Sequence, residues 1–503
     1  MIWPALAAIL FRPSLAGLHE AKEGLFVTTL TVYPQESKAD FEIVARSFLL
    51  EQGLPLASVL PASEIEGVFR RYDALFGDTY NAVYTTAIVL WAFLSQVLAD
   101  GKMRSCAAAV ARVGNFLIAL GMAPPSTDTG EYCNARKKLH EKALHDLVVE
   151  AAGKIEQAVP DDWLWRGRHV KLVDGFTATM PDTDENQAEF PQQKSQKPGV
   201  GFPIMRVCVI LSLATACILD GDLGPYSGKE TGEPALFRGR LDAFRPGDVA
   251  LFDRYYSSYA MLALLTLRGV DVCARLHQRR RCDFRRGKRL GKYDRLVTWQ
   301  RPARPAWMDE ATYATIPDTL RVRMLRFNIV VPGRRTRVIT VVTTLLDPKE
   351  YPAETIAELY GYRWNVELDI RQIKQTLNLD HLRCKTPAMV RKEFWTTLLA
   401  YNLIRRIICA AAVAHGKMPR RISFTRTCAT ILAAWPTLSL GLYRPQALAT
   451  LLEQIASLQT PDRPGRIEPR VLKRRRHRYP LMRKPRRKLK QCLEHATRCG
   501  KTT

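Results

Sequence analysis

Acidic side chains are the scarce class in this 503-residue chain: 49 Asp+Glu stand against 75 Lys+Arg, a formal charge of +26 that argues against a cationic substrate and for a polyanionic one. Cysteines at C-x-x-C spacing are absent. The eleven cysteines are odd in number and scattered from Cys106 to Cys499, so neither a zinc module nor a disulfide framework is expected, and a reducing cytoplasm fits. No uninterrupted apolar run reaches membrane-spanning length; the longest, Ala82 to Leu98, is broken by Thr85, Thr86, Ser95 and Gln96 and reads as a buried helix. A secretory leader is not indicated, because Met1 to Leu10 has no basic residue ahead of it and Arg12 after it. With 29 Gly and 30 Pro, the chain has too little of either for a collagen-like or disordered protein, and 47% apolar residues suit two to four folded domains of roughly 150 residues each.

The positive charge is concentrated. Residues 461 to 503 hold sixteen Lys/Arg against Asp462, Glu468 and Glu494, half the net charge in a twelfth of the chain. Pro480 and Pro485 interrupt this stretch, so an extended basic arm is expected rather than a long helix. A second block, Arg275 to Arg304, holds twelve Lys/Arg against Asp283 and Asp294 and includes Arg279, Arg280 and Arg281. Two basic surfaces on a nearly neutral body fit a defined track for nucleic acid, although a solvated tail has the same composition.

Helical periodicity runs from about Asp40 to Ala158, with a break at Pro124-Pro125. From His169 short β-branched runs predict five strands: His169 to Val173, Met205 to Leu213, Ala216 to Leu219, Asp248 to Phe252 and Val270 to Leu276. Helices are expected around Glu233 to Phe244 and Ser257 to Leu267, which makes a mixed α/β core. Strand-like runs at Leu296 to Trp299, Leu320 to Val331 and Val338 to Thr343 suggest a β-rich insertion. After Pro352 an unbroken helix is predicted to about Leu379, followed by helices at Pro387 to Ala414 and Phe424 to Ala434. The expected organisation is a helical N-terminal domain (1–160), a first core part (161–276), a β-rich insertion (277–348), a second core part (349–415) and a helical, basic C-terminal region (416–503).

Asp174 follows Val170-Lys-Leu-Val173, and Asp253 follows Val249-Ala-Leu-Phe252, so both are placed at carboxyl ends of strands, where α/β sheets carry their ligand sites. Strand-ending aspartates are also ordinary turn and cap residues. On one continuous helix, Tyr360, Arg363, Glu367, Arg371 and Lys374 would share an arc of roughly 80°. That spacing selects Glu367 as the acid that belongs with the basic residues, but it suits equally a salt-bridged surface stripe pairing Glu367 with Arg363 and Arg371. Carboxylates converging from separate elements are what phosphodiester cleavage by two divalent ions requires, with neighbouring Arg and Lys on the phosphates.

Tyr360-x2-Arg363-x3-Glu367-x6-Lys374 resembles the Y-(2)-R-(3)-E-(6)-K signature of bacterial insertion-sequence transposases of family four, a branch of the DDE transposases. Asp174-Gly-Phe-Thr177 is similar to that family's first-aspartate segment, with Phe176 in place of its usual Thr, and Leu251-Phe-Asp253-Arg-Tyr-Tyr256 to its second. The basic C-terminal run Tyr479-Pro-Leu-Met482 agrees, and the likeness covers most of residues 40 to 490. The resemblance implies an RNase H-like mixed sheet core interrupted by a β-rich insertion. It implies a catalytic and metal-binding triad of Asp174, Asp253 and Glu367 holding two Mg²⁺, with Mn²⁺ as a substitute. It further implies Tyr360, Arg363, Lys374, Arg254 and the Arg279 to Arg281 run on DNA, and Trp299 or Trp307 against a flipped base. The implied activity is cleavage at element ends and transfer of the 3′-hydroxyl into target DNA, by a homodimer on paired terminal repeats, in the cytoplasm at the nucleoid and not in a membrane. A metal-dependent nuclease without strand transfer, and a decayed transposase that only binds DNA, are the alternatives.

Overall fold

The computed structural model describes residues 60–461, apart from 61, 78–81, 120–122, 281, 330–336 and 440–444, and then residues 482–498. Met1 to Leu10, Arg281 and the dense basic run Arg470 to Arg478 lie outside the described residues. The chain divides into two units, one made of residues up to Ala158 with Gln375–Asn378 and Arg391–Thr460, the other of Val159–Lys374, Leu379–Val390 and Pro461–Thr503.

In the first unit helices α1 (Ala62–Arg70), α2 (Thr86–Leu98), α3 (Cys106–Ala119), α4 (Gly130–Lys138) and α5 (Glu141–Gln157) follow one another. Thr85 starts α2 by accepting the Ile88 amide on its hydroxyl, and every residue of α2 is buried, as its apolar texture predicts. The polar interruption is satisfied within the fold: Gln96 donates to the Arg104 carbonyl at 2.9 Å and accepts from the Tyr132 hydroxyl and Arg136. Helix α5 buries Ala143, Leu144, Leu147, Val148, Ala151, Ala152 and Ile155, the three- and four-residue repeat of a core-facing stripe.

The second unit is mixed α/β. Among the described residues nine strands form one sheet in the order β3-β2-β1-β4-β5-β9-β8-β7-β6. They are β1 (Val170–Thr179), β2 (Ile204–Ser212), β3 (Ile218–Pro225), β4 (Val249–Phe252), β5 (Asp271–Arg275), β6 (Lys288–Gly291), β7 (Asp294–Gln300), β8 (Thr319–Ile329) and β9 (Arg337–Thr343). Strands β1, β4 and β5 are parallel, and the remaining pairings are antiparallel. The strands expected of the insertion are present, but β9 pairs directly with β5, so they extend the core sheet instead of forming one of their own. Short helices α6 (Asp184–Glu189), α7 (Glu233–Arg238), α8 (Tyr259–Leu267) and α9 (Glu310–Thr315) lie between strands.

Two expectations need correction. Strand β1 does not end at Val173; it continues through Gly175-Phe-Thr-Ala-Thr179 because these residues pair with β2, and Asp174 sits inside it opposite Val209. The helix after Pro352 is not continuous but divides into α10 (Ala353–Gly361) and α11 (Trp364–Thr376). Gly361, a poor helix former, precedes a tightened turn in which Arg363, Asn365 and Val366 donate to the carbonyls of Tyr360, Tyr362 and Arg363, three residues back. The projection at 100° per residue therefore fails between Tyr360 and Arg363.

Helix α12 spans Pro387–Ala414, as its apolar periodicity predicts, and is followed by α13 (Phe424–Ser439) and α14 (Pro445–Ser457). Among the described residues α12 is the one helix long and apolar enough to cross a membrane, and 78% of its apolar window is buried inside the protein. Helix α15 (Arg486–Arg498) replaces part of the expected extended arm: Pro485 ends the interruption, and the chain after it is free to turn helical.

Candidate active site

The register of the parallel pair β1–β4 sets the site. Val173 is level with Phe252, the last residue of β4, so Asp174 and Asp253 each stand one residue past the end of that pairing. Asp174 remains anchored on its other side by β2, and its carboxylate accepts the Gly175 amide at 2.9 Å. Asp253 caps its own turn by accepting the Tyr255 amide at 2.7 Å, the turn role its position allows.

Glu367 comes from the first turn of α11, whose flanks are tied down at both ends. Ahead of α10, the Tyr351 carbonyl accepts from buried Arg323 at 2.6 Å, while the Tyr351 ring stacks on Trp165. Behind α11, Asp380 and Leu382 bond to Thr179 at the end of β1, each at 2.9 Å. Arg363 lies between the acids: its guanidinium meets Glu367 at 2.7 Å and Asp174 at 3.8 Å. Burial pushes the Asp174 carboxyl up to about 6; the Gly175 amide and Arg363 oppose that shift, and Asp253 and Glu233 add to it. One arginine thus leaves an excess of negative charge around a desolvated carboxylate, and a hard cation would relieve it.

Among the described residues no three His, Cys, Asp or Glu side chains stand close enough together to enclose one ion. The donor chemistry nevertheless fits magnesium, since all three candidates are carboxylate oxygens from separate elements, and the group between two of them is a cationic side chain able to swing to another anion.

The other sequence-selected residues are distributed as follows. Tyr360 closes α10 with its ring buried, and burial pushes its hydroxyl up to about 12. Lys374, in the last turn of α11, lies over the ring of Phe176 at 5.8 Å. Phe176 is two residues beyond Asp174 and on the same face of β1, where it supplies an aromatic seat for that ammonium. Arg371 is exposed, and Glu367 takes Arg363 as its ion-pair partner. Arg254 and Arg279 are exposed, while Arg280 stacks at 3.8 Å on Trp299, which is itself buried. Trp364 is 54% exposed, with the Arg363 guanidinium 5.7 Å from its ring. Trp307, by contrast, carries Arg238 on its ring at 4.0 Å and lines an open hollow of about 330 Å³ with Tyr259, His277 and Arg280, in the loops following Asp253 and β5. Cys208, Cys217 and Cys273 are buried thiols, as expected of cysteines in strands.

Glu233 escaped the sequence reading, which took in Tyr256 only as the end of the second-aspartate segment. Glu233, the first residue of α7, lays its carboxylate against Gly175 and accepts the Tyr256 hydroxyl at 3.2 Å, which links the segment after Asp174 to the segment after Asp253. The one signal in the sequence is the glycine itself: a Cβ at 175 would stand 2.2 Å from Glu233 Cδ. Gly175→Ala is therefore expected to break the Glu233–Tyr256 bond and destabilise the protein by about 1–3 kcal/mol, the usual cost of overpacking. Chemical denaturation of the variant checks this, and an unchanged midpoint would mean that Glu233 swings away freely.

The family described as "Transposase DDE domain" matches residues 165–403. The chain is 28% identical over 355 residues to the transposase InsG for insertion sequence element IS4 of Escherichia coli K12, covering 69% of this chain and 76% of that protein. It is 41% identical over 69 residues to the probable transposase for insertion sequence element IS5377 of Geobacillus stearothermophilus, covering 14% of this chain and 18% of that protein. A solved piggyBac transposase synaptic complex with hairpin DNA overlaps 84% of this chain and 86% of that one at a TM-score of 0.39 and 9% identity, too slight a likeness to support an argument.

Proposed function

We propose that this chain is a DDE transposase of a bacterial insertion sequence, which cuts the ends of its element and joins the freed 3′-hydroxyls to target DNA from a site built on Asp174, Asp253 and Glu367. The observation that carries this reading is the level placement of Asp174 and Asp253 past the β1–β4 pairing, with Arg363 joining Asp174 to Glu367. The core that presents them is read as RNase H-like. The three carboxylates would hold two Mg²⁺, or Mn²⁺ in its place, which when bound supply an activated water or hydroxyl and stabilise the leaving oxygen.

The chain's own residues do the positioning. Asp174 is held by the Gly175 amide and Asp253 by its turn, so neither carboxylate has to be ordered at the moment of reaction. Arg363 exchanges the carboxylates for a DNA phosphate, which its planar fork can grip at two oxygens. Lys374, seated on Phe176, meets a second phosphate, and buried Tyr360 lies near enough to Arg363 to feel its charge and is assigned to its support. Arg254 and the Arg279 to Arg281 run are assigned to the DNA backbone. A homodimer holding two ends together, at work in the cytoplasm on nucleoid DNA, completes the reading.

The test is an end-product assay: the protein, Mg²⁺ and a plasmid carrying the gene's native flanks, with products mapped to the nucleotide. Cuts at the repeat boundary followed by joined products support transposition; cut ends that never join make the protein a nuclease, and binding without cutting makes it a decayed relative. The hollow beside Trp307 is the better seat for a base turned out of the duplex, because Trp307 lines that open space whereas Trp299 is buried. Trp307→Ala is expected to lower end opening roughly tenfold, in line with about 1–3 kcal/mol for one base stacked on an aromatic ring. Fluorescence of a 2-aminopurine at the flanking position reports it, and a signal lost only in Trp299→Ala would move the base site to Trp299.

A further inference from the structure

The turn at residues 192–201 and the C-terminal basic helix belong to the same unit, and neither is used by the site described above. The turn is exposed, yet one side chain organises it. The Gln192 amide donates to the carbonyls of Gln196 and Lys197 at 3.2 and 3.0 Å and accepts the amides of Gly199 and Gly201 at 3.0 and 3.2 Å. All its hydrogen-bonding capacity thus goes into fixing the path of the loop. Gly199, at φ +72°, lets Pro485 approach so closely that a Cβ there would lie 3.1 Å from the proline ring. Between the fixed loop and the start of α15 runs a groove of about 970 Å³, whose charged walls are Lys197, Arg483, Lys484 and Lys488, with His495 and no carboxylate among its lining residues.

We infer that this groove is a second DNA-backbone track, separate from the carboxylate site, which grips duplex phosphates away from the scissile bond. The inference rests on the DNA-processing reading of the chain. Charge and shape favour this occupant over an anionic membrane: the basic residues line both walls of a cleft, Lys197 from the loop and Arg483, Lys484 and Lys488 from the C-terminal segment, instead of one convex helix face, so they suit a ridge of phosphates. Topology supplies the spacing. Thr179 ends β1 five residues beyond Asp174, about 17 Å along the strand, and the groove loop joins that end to Ile204, which starts β2 opposite Thr179. At about 3.4 Å per base pair, the phosphates it meets are roughly five or more base pairs from the cut.

The test uses the full-length protein with Lys197→Gln, Lys484→Gln and Lys488→Gln combined, and separately Gln192→Ala, which loosens the loop without removing charge. On a long duplex the triple variant is expected to flatten the plot of log affinity against log salt by about 2.7, three contacts at about 0.9 each, and to weaken binding on the order of tenfold to a hundredfold at about 0.1 M salt. Gln192→Ala should weaken long-duplex binding by a smaller factor. On a duplex ending within about five base pairs of the cut, both variants should match wild type. An unchanged slope on the long duplex, with wild-type protein still binding and cutting, overturns the groove and leaves the function standing. Loss of binding to anionic phospholipid vesicles with duplex affinity intact overturns it in favour of a membrane. A wild-type protein that binds no DNA overturns both readings.

Discussion

Glu367→Gln is expected to abolish Mg²⁺-dependent cleavage while leaving the protein folded. The side chain would lose the charge that helps hold a divalent ion, whose contribution to transition-state stabilisation is several kcal/mol, so the rate should fall by about 10³-fold or more. Folding is spared because Gln keeps a carbonyl oxygen for the Arg363 bond, and because the Arg363–Glu367 pair is partly exposed on the Glu367 side, where ion pairs contribute little. Nucleotide-level mapping of cut ends, beside a denaturation curve, separates the two effects. Cleavage within tenfold of wild type would remove Glu367 from the reaction, and with it the three-carboxylate reading.

The second large effect is on stability and is set by Arg323. Its guanidinium is 1% exposed and meets both oxygens of Asp294, at 2.9 and 2.5 Å, while a third nitrogen donates to the Tyr351 carbonyl. One side chain therefore joins β7, β8 and the approach to α10. Arg323→Met would leave the buried Asp294 carboxylate and the Tyr351 carbonyl without this donor, at an expected cost of about 3–5 kcal/mol. Adding Asp294→Leu should recover most of the loss, because replacing both members of a buried pair by apolar groups is often neutral or better. Urea denaturation of the single and double variants measures this; a single variant within about 1 kcal/mol of wild type would mean that water reaches the pair.

Patterns that depend on neighbours in the chain were legible in the sequence. The α12 helix and the Arg363–Glu367 pair follow from three- and four-residue spacing, and the buried α2 helix from one long apolar run. Asp174 was misplaced at a strand end because the apolar run stops at Val173, whereas what prolongs β1 is pairing with β2, some thirty residues away in sequence. The α10–α11 break was hidden because Gly361 weakens a helix without forbidding one. Glu233 could not be found from periodicity at all: its approach to Gly175 depends on α7 arriving over β1, a long-range contact whose only local trace is a residue without a side chain.

The unequal lengths of β1 and β4 have a consequence for how the gene tolerates insertions and deletions. Because Asp174 lies within a ladder whose side chains alternate faces, losing one codon between Val170 and Asp174 would turn the carboxylate to the opposite side of the sheet while leaving a plausible strand. Codons added to the turn at 192–201 would leave that alternation intact and disturb only the loop that Gln192 holds. The reading frame of the fold is thus strict over a few residues upstream of the first aspartate and lenient in the connection beyond it, so an element could drift in length there without moving the position from which its chemistry is done.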